Sequence, residues 1–160
     1  MYQRILVPVD GSPTANHGLG EAIALGKLTG ARLRLLHVVD ELSFAIGAGA
    51  FAGFASDYIT MLREGGEDIL AAGKARVEAA GLEVDTVLRD TFAGRVCDHV
   101  TQEAKAWPAE LIVIGTHGRR GAGRLFMGSD AEQILRQAHV PVLLVRGEAR
   151  QSQAPAEAER

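Results

Sequence analysis

The sequence is poor in the features that mark secreted, membrane and nucleic-acid-binding proteins. Its only cysteine is Cys97, which excludes an intrachain disulfide and favours a reducing compartment. The formal net charge of −3 provides no basic field that would hold nucleic acid. The longest weakly polar stretch, 42–55, is shorter than a bilayer span, and the N-terminus lacks the long apolar region of a signal peptide. We therefore expect a cytoplasmic protein that neither enters a membrane nor binds nucleic acid.

Motifs of common catalytic sites are also missing. There is no Gly-x-Ser-x-Gly turn for a nucleophilic serine and no Gly-Lys-Ser/Thr triplet of a Walker A loop. His17, His99 and His139 have no metal-ligand spacing with one another or with Cys97. Cys97 falls within a helical pattern, without the surroundings that activate a thiolate. The sequence therefore predicts neither catalytic residues nor a metal site.

What the sequence does contain is the patterning of an α/β domain. Of its 160 residues, 47% are hydrophobic and 23% are charged, close to the average for globular domains. Five short apolar runs are separated by segments of helical periodicity, and the runs are nearly continuous, as in parallel strands covered on both faces. The predicted strands are 5–9, 33–39, 82–88, 111–114 and 142–145. The predicted helices are 13–29, 56–80, 94–106 and 129–138.

This alternation predicts right-handed βαβ crossovers and a doubly wound, five-stranded parallel sheet of the flavodoxin or Rossmann kind. The number of elements fits a flavodoxin-like fold, and the pattern alone does not give the strand order. We expect one domain over 1–147 and a disordered tail over 148–160. The connection 40–55 is long for a compact domain and predicts a flap beside the carboxyl edge of the sheet. The adjacent Gly65 and Gly66 predict a kink or a late start in the second helix.

The segment 115–129 is rich in glycine and joins the fourth predicted strand to the last helix. Glycines let backbone N–H groups approach an anion closely, and a helix N-terminus presents free N–H groups and the positive end of its dipole. Ser129 adds a hydroxyl that either caps the helix or donates to a phosphate. Arg119, Arg120 and Arg124 either add positive charge or are simply solvated. The segment predicts phosphate binding, and the alternative is a surface loop whose glycines serve only turns.

The glycine spacing resembles a known signature. Gly115, Gly118, Gly128 and Ser129 form the pattern Gly-x2-Gly-x9-Gly-Ser, which is similar to the ATP-binding signature of universal stress proteins. Further landmarks of that family are similar to Ile-Leu-Val-Pro-Val-Asp-Gly-Ser, Leu-His-Val-Val and Val-Pro-Val-Leu-Leu-Val, at 5–12, 36–39 and 140–145. The resemblance covers nearly the whole chain and implies the single-domain, ATP-binding branch, with an adenine nucleotide alpha hydrolase-like fold.

The resemblance also implies roles for individual residues. Asp10 would contact the ribose and approach the metal-phosphate region, and Val38 would offer backbone groups to the adenine edge. The ligand would be ATP, with or without Mg²⁺. The implied pocket floor and phosphate cradle comprise Pro8, Val9, Ile114, Gly115, His117, Gly118, Arg119, Gly128, Ser129 and the N–H of Asp130.

Two residues of this region have competing interpretations. The family more often has valine where this chain has Asp130, and a carboxylate there either repels phosphate or faces away and favours the helix dipole. His117 either contacts phosphate or only shapes the loop. His37, within an apolar run, is expected to be a hydrogen-bonded core histidine and not a ligand.

Three functions are compatible with these patterns. The first is a nucleotide-dependent stress-response regulator, a homodimer through the last strand at 142–145 that acts on an unidentified protein partner. The second is a slow ATPase or phosphotransferase in which Asp10 holds magnesium, although no attacking group can be named. The third is a dimeric partner module that binds no nucleotide. The intact glycine spacing favours the first, with weak ATP hydrolysis at most.

Overall fold

The computed structural model describes residues 1–39, 55–90, 94–116 and 128–147, in which strands and helices alternate. The strands are β1 (Arg4–Pro8), β2 (Arg32–Val39), β3 (Val84–Asp90), β4 (Leu111–Gly115) and β5 (Val142–Val145). The helices are α1 (Pro13–Thr29), α2 (Ala55–Ala79), α3 (Val96–Ala106) and α4 (Ser129–Gln137). The predicted tail at 148–160 lies outside the described residues, as does the predicted flap apart from Ala55. His117, Gly118 and Arg119 also lie outside them.

The five strands form one sheet in the order β3-β2-β1-β4-β5, and every neighbouring pair is parallel. This confirms the predicted α/β fold. The order is that of Rossmann folds and differs from the 2-1-3-4-5 order of flavodoxins. The number of elements had fitted a flavodoxin-like fold without giving a strand order. From β1 the chain adds β2 and β3 on one side of the sheet, and it then crosses back to add β4 and β5 on the other side. The order in which strands are added therefore reverses between β1 and β4, and we call this place the reversal point.

Each face of the sheet packs against two helices. Alternate strand residues such as Ile5, Leu33 and Val113 point into a core shared with α1 and α2. The intervening residues, such as Leu6 and Ile112, point into a second core shared with α3 and α4. This explains the continuous apolar runs, because both faces of the central strands are buried.

Local signals fix the ends of α1. Ser12 is the N-cap, and its Oγ accepts a hydrogen bond from the N–H of Ala15 at 3.1 Å. Pro13 occupies the first helical position, and Gly30, at φ +71°, ends the helix. These ends agree with the sequence-based prediction. Among the helices of the described ranges, none has an apolar stretch long enough to cross a bilayer.

The late start predicted for the second helix is not observed. Helix α2 begins at Ala55 and continues through Gly65 and Gly66. A Cβ atom at Gly66 would lie 2.7 Å from Cδ2 of His37 and 2.9 Å from Cδ1 of Leu88. Gly66 therefore permits close packing of α2 on β2 and β3, and this packing offsets the low helix propensity of glycine.

Candidate functional site

The reversal point of the sheet opens a crevice between the carboxyl ends of β1 and β4. The two strands pair only at their amino-terminal halves, where Ile5 lies opposite Leu111 and Leu6 opposite Ile112. Towards the carboxyl ends, the first turn of α1 packs beside β4, and a Cβ atom at Gly115 would lie 2.6 Å from the carbonyl oxygen of Thr14. Open α/β sheets bind ligands at such reversal points.

Asp10 lies just beyond the carboxyl end of β1 and is half-buried. Its Oδ1 accepts a hydrogen bond from the N–H of Ser12 at 2.9 Å. The carboxylate therefore shapes the turn into α1, a role beside the ligand contact that the family resemblance implies. The two roles are compatible, because a carboxylate has several acceptor sites.

The backbone beyond β1 is held by β2. The N–H of Val9 donates to the carbonyl of Leu36 at 2.9 Å, and Nδ1 of His37 lies 2.7 Å from the carbonyl oxygen of Val9. His37 is only 6% exposed. The prediction of a hydrogen-bonded core histidine is thus confirmed.

Val38 is oriented towards the crevice by strand geometry. Successive residues of a strand point their N–H and C=O groups to opposite sides, and the carbonyl of Leu36 faces β1. The N–H and C=O of Val38 therefore face the same side as those of Leu36, at a level where β1 has already ended at Pro8.

The start of α4 forms the other side of the crevice. The N–H of Gly128 donates to the carbonyl of Thr116 at 2.7 Å, so the two stems of the glycine-rich segment meet. Gly128, and not Ser129, is the N-cap, and α4 has no side-chain cap. The interpretation of Ser129 as a cap is therefore wrong: Ser129 is the first helical residue. A helix N-terminus presents backbone N–H groups and the positive end of its dipole, which favour an anion.

Comparison with known proteins identifies the family. The model of the universal stress protein family matches residues 1–146. The chain belongs to the universal stress protein family. Universal stress protein MJ0531 of Methanocaldococcus jannaschii is 31% identical over 147 residues, covering 91% of this chain and 83% of that protein.

Solved structures agree. The structure of MJ0577 from the same organism has a TM-score of 0.80 with 26% identity, covering 93% of this chain and 99% of that one. A universal stress protein solved in complex with cAMP has a TM-score of 0.62 with 25% identity, covering 92% of this chain and 98% of that one. This universal stress protein thus shares fold and length with its relatives.

Asp130 lies in the first turn of α4 and is exposed. Burial raises the pKa of the Cys97 thiol, and the negative charges of Asp98 and Asp130 raise it further. The Asp130 carboxylate thus acts on Cys97 across the packed pair of α3 and α4. The same shift keeps the fully buried Cys97 thiol neutral, in agreement with the absence of an activating motif.

In this universal stress protein, nine of the predicted site residues lie within the described ranges, and all are at the carboxyl edge of the sheet. They are Pro8, Val9, Asp10, Val38, Ile114, Gly115, Gly128, Ser129 and Asp130. His117, Gly118 and Arg119 lie outside the described residues. Within the described ranges, no group of three or more His, Cys, Asp or Glu side chains could hold a metal ion.

The small residues that shape the crevice were not predicted from the sequence. Thr116 is buried, its N–H donates to the carbonyl of Val145, and its carbonyl anchors Gly128. A Cβ atom at Gly18 of α1 would lie 3.3 Å from the backbone nitrogen of Gly115. The available signal was a glycine inside a helical pattern, which often marks close backbone approach.

Proposed function

We propose that this universal stress protein binds ATP in the crevice between β1 and β4 and acts as a nucleotide-dependent regulator of the stress response. The observation that carries the proposal is the start of α4, where Gly128 leaves the first turn without a side-chain cap beside the reversal point of the sheet. The cAMP-bound relative, of the same fold and nearly the same length, supports an adenine nucleotide as the ligand.

The parts of the nucleotide are assigned by chemistry. The Asp10 carboxylate suits ribose hydroxyls, which are hydrogen-bond donors. The backbone N–H and C=O of Val38 suit the donor and acceptor edge of adenine, with Pro8, Val9 and Ile114 as the apolar floor. The N–H groups of Gly115, Ser129 and Asp130 suit the phosphates, and Gly128, whose own N–H donates to Thr116, lets the phosphates approach closely. His117, Gly118 and Arg119 remain proposed members of the same cradle.

Magnesium would bind together with the phosphates, and not at a metal site formed by the protein alone. Mg²⁺ in such sites keeps several waters and takes one or two carboxylates plus phosphate oxygens. Asp10 is the carboxylate at the end of β1 that fits this role, and the described residues supply no larger cluster. ATP with or without Mg²⁺ is therefore the proposed ligand.

We infer that ATP is a bound regulator and is turned over slowly at most. Phosphoryl transfer needs a residue that positions the attacking group. The Asp10 carboxylate is assigned to the ribose and Mg²⁺, and the ring of His37 is engaged with the carbonyl of Val9. These engagements favour a regulator over an ATPase.

We further propose a homodimer through the free edge of β5, located in the cytoplasm and acting on a protein partner. The carbonyls of Pro141 and Val145 accept hydrogen bonds from Ile112 and Thr116. By the two-residue alternation, the N–H and C=O of Val142 and Leu144 point away from β4, so they are oriented to pair with a second chain.

The first experiment is calorimetric titration of nucleotide-free protein with ATP, with and without Mg²⁺, followed by assay of the mixture for ADP. We expect saturable binding and negligible ADP. Appreciable ADP would support the enzyme interpretation, and no binding of any adenine nucleotide would leave the dimeric partner module.

Two variants test the assignment of residues. In the absence of Mg²⁺, Asp10→Ala should weaken ATP and adenosine about tenfold or more, the value of a hydrogen bond to a charged group, and leave inorganic triphosphate nearly unchanged. The control is Asp68→Ala, which removes an exposed carboxylate on α2. Equal losses for all ligands would remove Asp10 from the ribose.

Gly128→Val should fold, because Gly128 has φ −58°, which any residue adopts, but it should block the phosphates.

A further inference from the structure

We propose that His37 is a positioning residue for the nucleotide, which it does not itself contact. Its ring donates a hydrogen bond to the carbonyl of Val9. This bond holds the residue before Asp10 and keeps the N–H of Val38 available to the base. The inference rests on the proposed ATP site and adds a residue from the opposite face of β2.

The hydrogen bond of His37 interrupts a regular ladder. Between β1 and β2, the N–H of Arg32 donates to the carbonyl of Gln3, and the N–H of Val9 donates to the carbonyl of Leu36. Continued by two residues, the parallel pattern would bring the N–H of Val38 to the carbonyl of Val9. That carbonyl instead accepts from Nδ1 of His37 at 2.7 Å, and because a carbonyl only accepts, Nδ1 carries the proton.

This exchange has two consequences for the crevice. The N–H of Val38 is released from the β1 ladder on the side where adenine is proposed to lie. The peptide that joins Val9 to Asp10 is fixed by a side chain, while the turn that follows is fixed from α1, where Nδ2 of Asn16 donates to the carbonyl of Gly11 at 3.4 Å. Asp10 thus lies between two anchors, and only the first depends on His37.

Helix α2 provides the space for the ring. A Cβ atom at Gly66 would lie 2.7 Å from Cδ2 and 3.2 Å from Nε2 of His37. The preceding residue, Gly65, has no atom within 4 Å of its Cβ position. Gly66 is therefore required by the imidazole, whereas Gly65 is not.

The first test compares His37→Leu with His37→Asn. Leucine removes the donor, and we expect ATP and adenosine to bind roughly three- to tenfold more weakly, the value of one neutral hydrogen bond, with inorganic triphosphate unchanged. Asparagine carries an N–H donor close to the position of Nδ1, and we expect it to restore most of the affinity. The positioning role is overturned by wild-type affinity in His37→Leu, by an Asn variant as weak as the Leu variant, or by an equal loss for triphosphate.

The second test keeps His37 in the sequence and displaces its ring. Gly66→Ala should displace the ring and weaken ATP and adenosine, whereas Gly65→Ala, with the same chemical change on the same helix, should bind them as the wild type does. Equal affinities in the two variants would contradict the inference. This comparison does not require that His37→Leu folds. If the wild-type protein binds no adenine nucleotide, both proposals fail. If it binds and the substitutions at His37 and Gly66 have no effect, only the positioning role fails.

Discussion

Glu103 is the most deeply buried carboxylate of the described chain, with 3% exposure. It accepts hydrogen bonds from Arg34 at 2.8 Å and from Arg89 at 2.7 Å, so it ties α3 to β2 and β3. The guanidinium of Arg34 also lies 4.6 Å from the ring centroid of Trp107. Burial by itself would raise the pKa of Glu103, but the two arginines hold it below the usual range.

This cluster predicts acid sensitivity. The pKa of Asp85 is also lowered, because its hydrogen bonds to Arg32 and Arg34 outweigh its burial. A carboxylate whose pKa is lower in the folded state stabilises the fold above its unfolded pKa of about 4, and this stabilisation is lost as the pH falls through the folded value. The free energy of unfolding should therefore decrease between pH 5 and pH 3, as measured by urea denaturation.

Glu103→Gln should remove part of this dependence. We expect it to cost about 2–3 kcal/mol at pH 7, below the range for fully buried pairs because Arg89 is half-exposed, and to cost less towards pH 3. Glu78→Gln, in the exposed pair with Lys74, should change stability by less than about 0.5 kcal/mol. Parallel pH profiles of Glu103→Gln and wild type would contradict the assignment.

At the scale of elements, the close contact between α1 and β4 depends on glycine, which has no side chain. The nearest atoms to a Cβ at Gly115 are backbone atoms of Thr14 and Ala15, at 2.6 to 2.9 Å, and these cannot rotate aside. Gly20, on the same helix, has no atom within 4 Å of its Cβ position.

The two glycines should therefore respond oppositely to alanine. Gly115→Ala should lower the free energy of unfolding by about 1–3 kcal/mol, because the first turn of α1 must move. Gly20→Ala should raise it by about 0.5–1 kcal/mol, because alanine has the higher helix propensity. Chemical denaturation of both variants measures this, and a stabilised Gly115→Ala would show that α1 is not in close contact with β4.

The elements were predictable where their signals are local. Ser12-Pro13 and Gly30 fixed the ends of α1 because a cap acts within one turn. The third strand was predicted at 82–88 but is Val84–Asp90, because the N–H of Leu82 is still directed to the carbonyl of Val77 in the turn that follows α2. The Gly66 contact was hidden from the sequence, since its partner His37 lies on another element.

For the whole molecule, the carboxyl edge of the sheet could be predicted as the candidate site, because glycine-rich segments and strand ends lie together in any such fold. The strand order could not be predicted, because it depends on pairings between strands far apart in the chain, such as Ile5 of β1 opposite Leu111 of β4. The reversal point between β1 and β4, where the first turn of α1 lies beside Gly115, therefore emerged only from the structure.

The proposed dimer gives a prediction at this scale. Leu143 of β5 is 37% exposed, and lysine on an edge strand opposes pairing with another edge. Leu143→Lys should convert the dimer to a monomer in analytical ultracentrifugation while the circular dichroism spectrum is retained. Arg136→Lys, an exposed substitution on α4 that keeps the charge, is the control. A Leu143→Lys variant that sediments like the wild type would place the dimer interface elsewhere.

The central place of β1 also bears on synthesis by the ribosome. Its two neighbours are β2, which follows directly, and β4, whose contact between Arg4 and Glu110 spans 106 residues. At roughly 5–20 residues per second, one edge of the apolar β1 is without its partner for on the order of ten seconds. Every nascent chain thus exposes an unpaired strand to chaperones, and to neighbouring nascent chains on the same message, before the sheet can close.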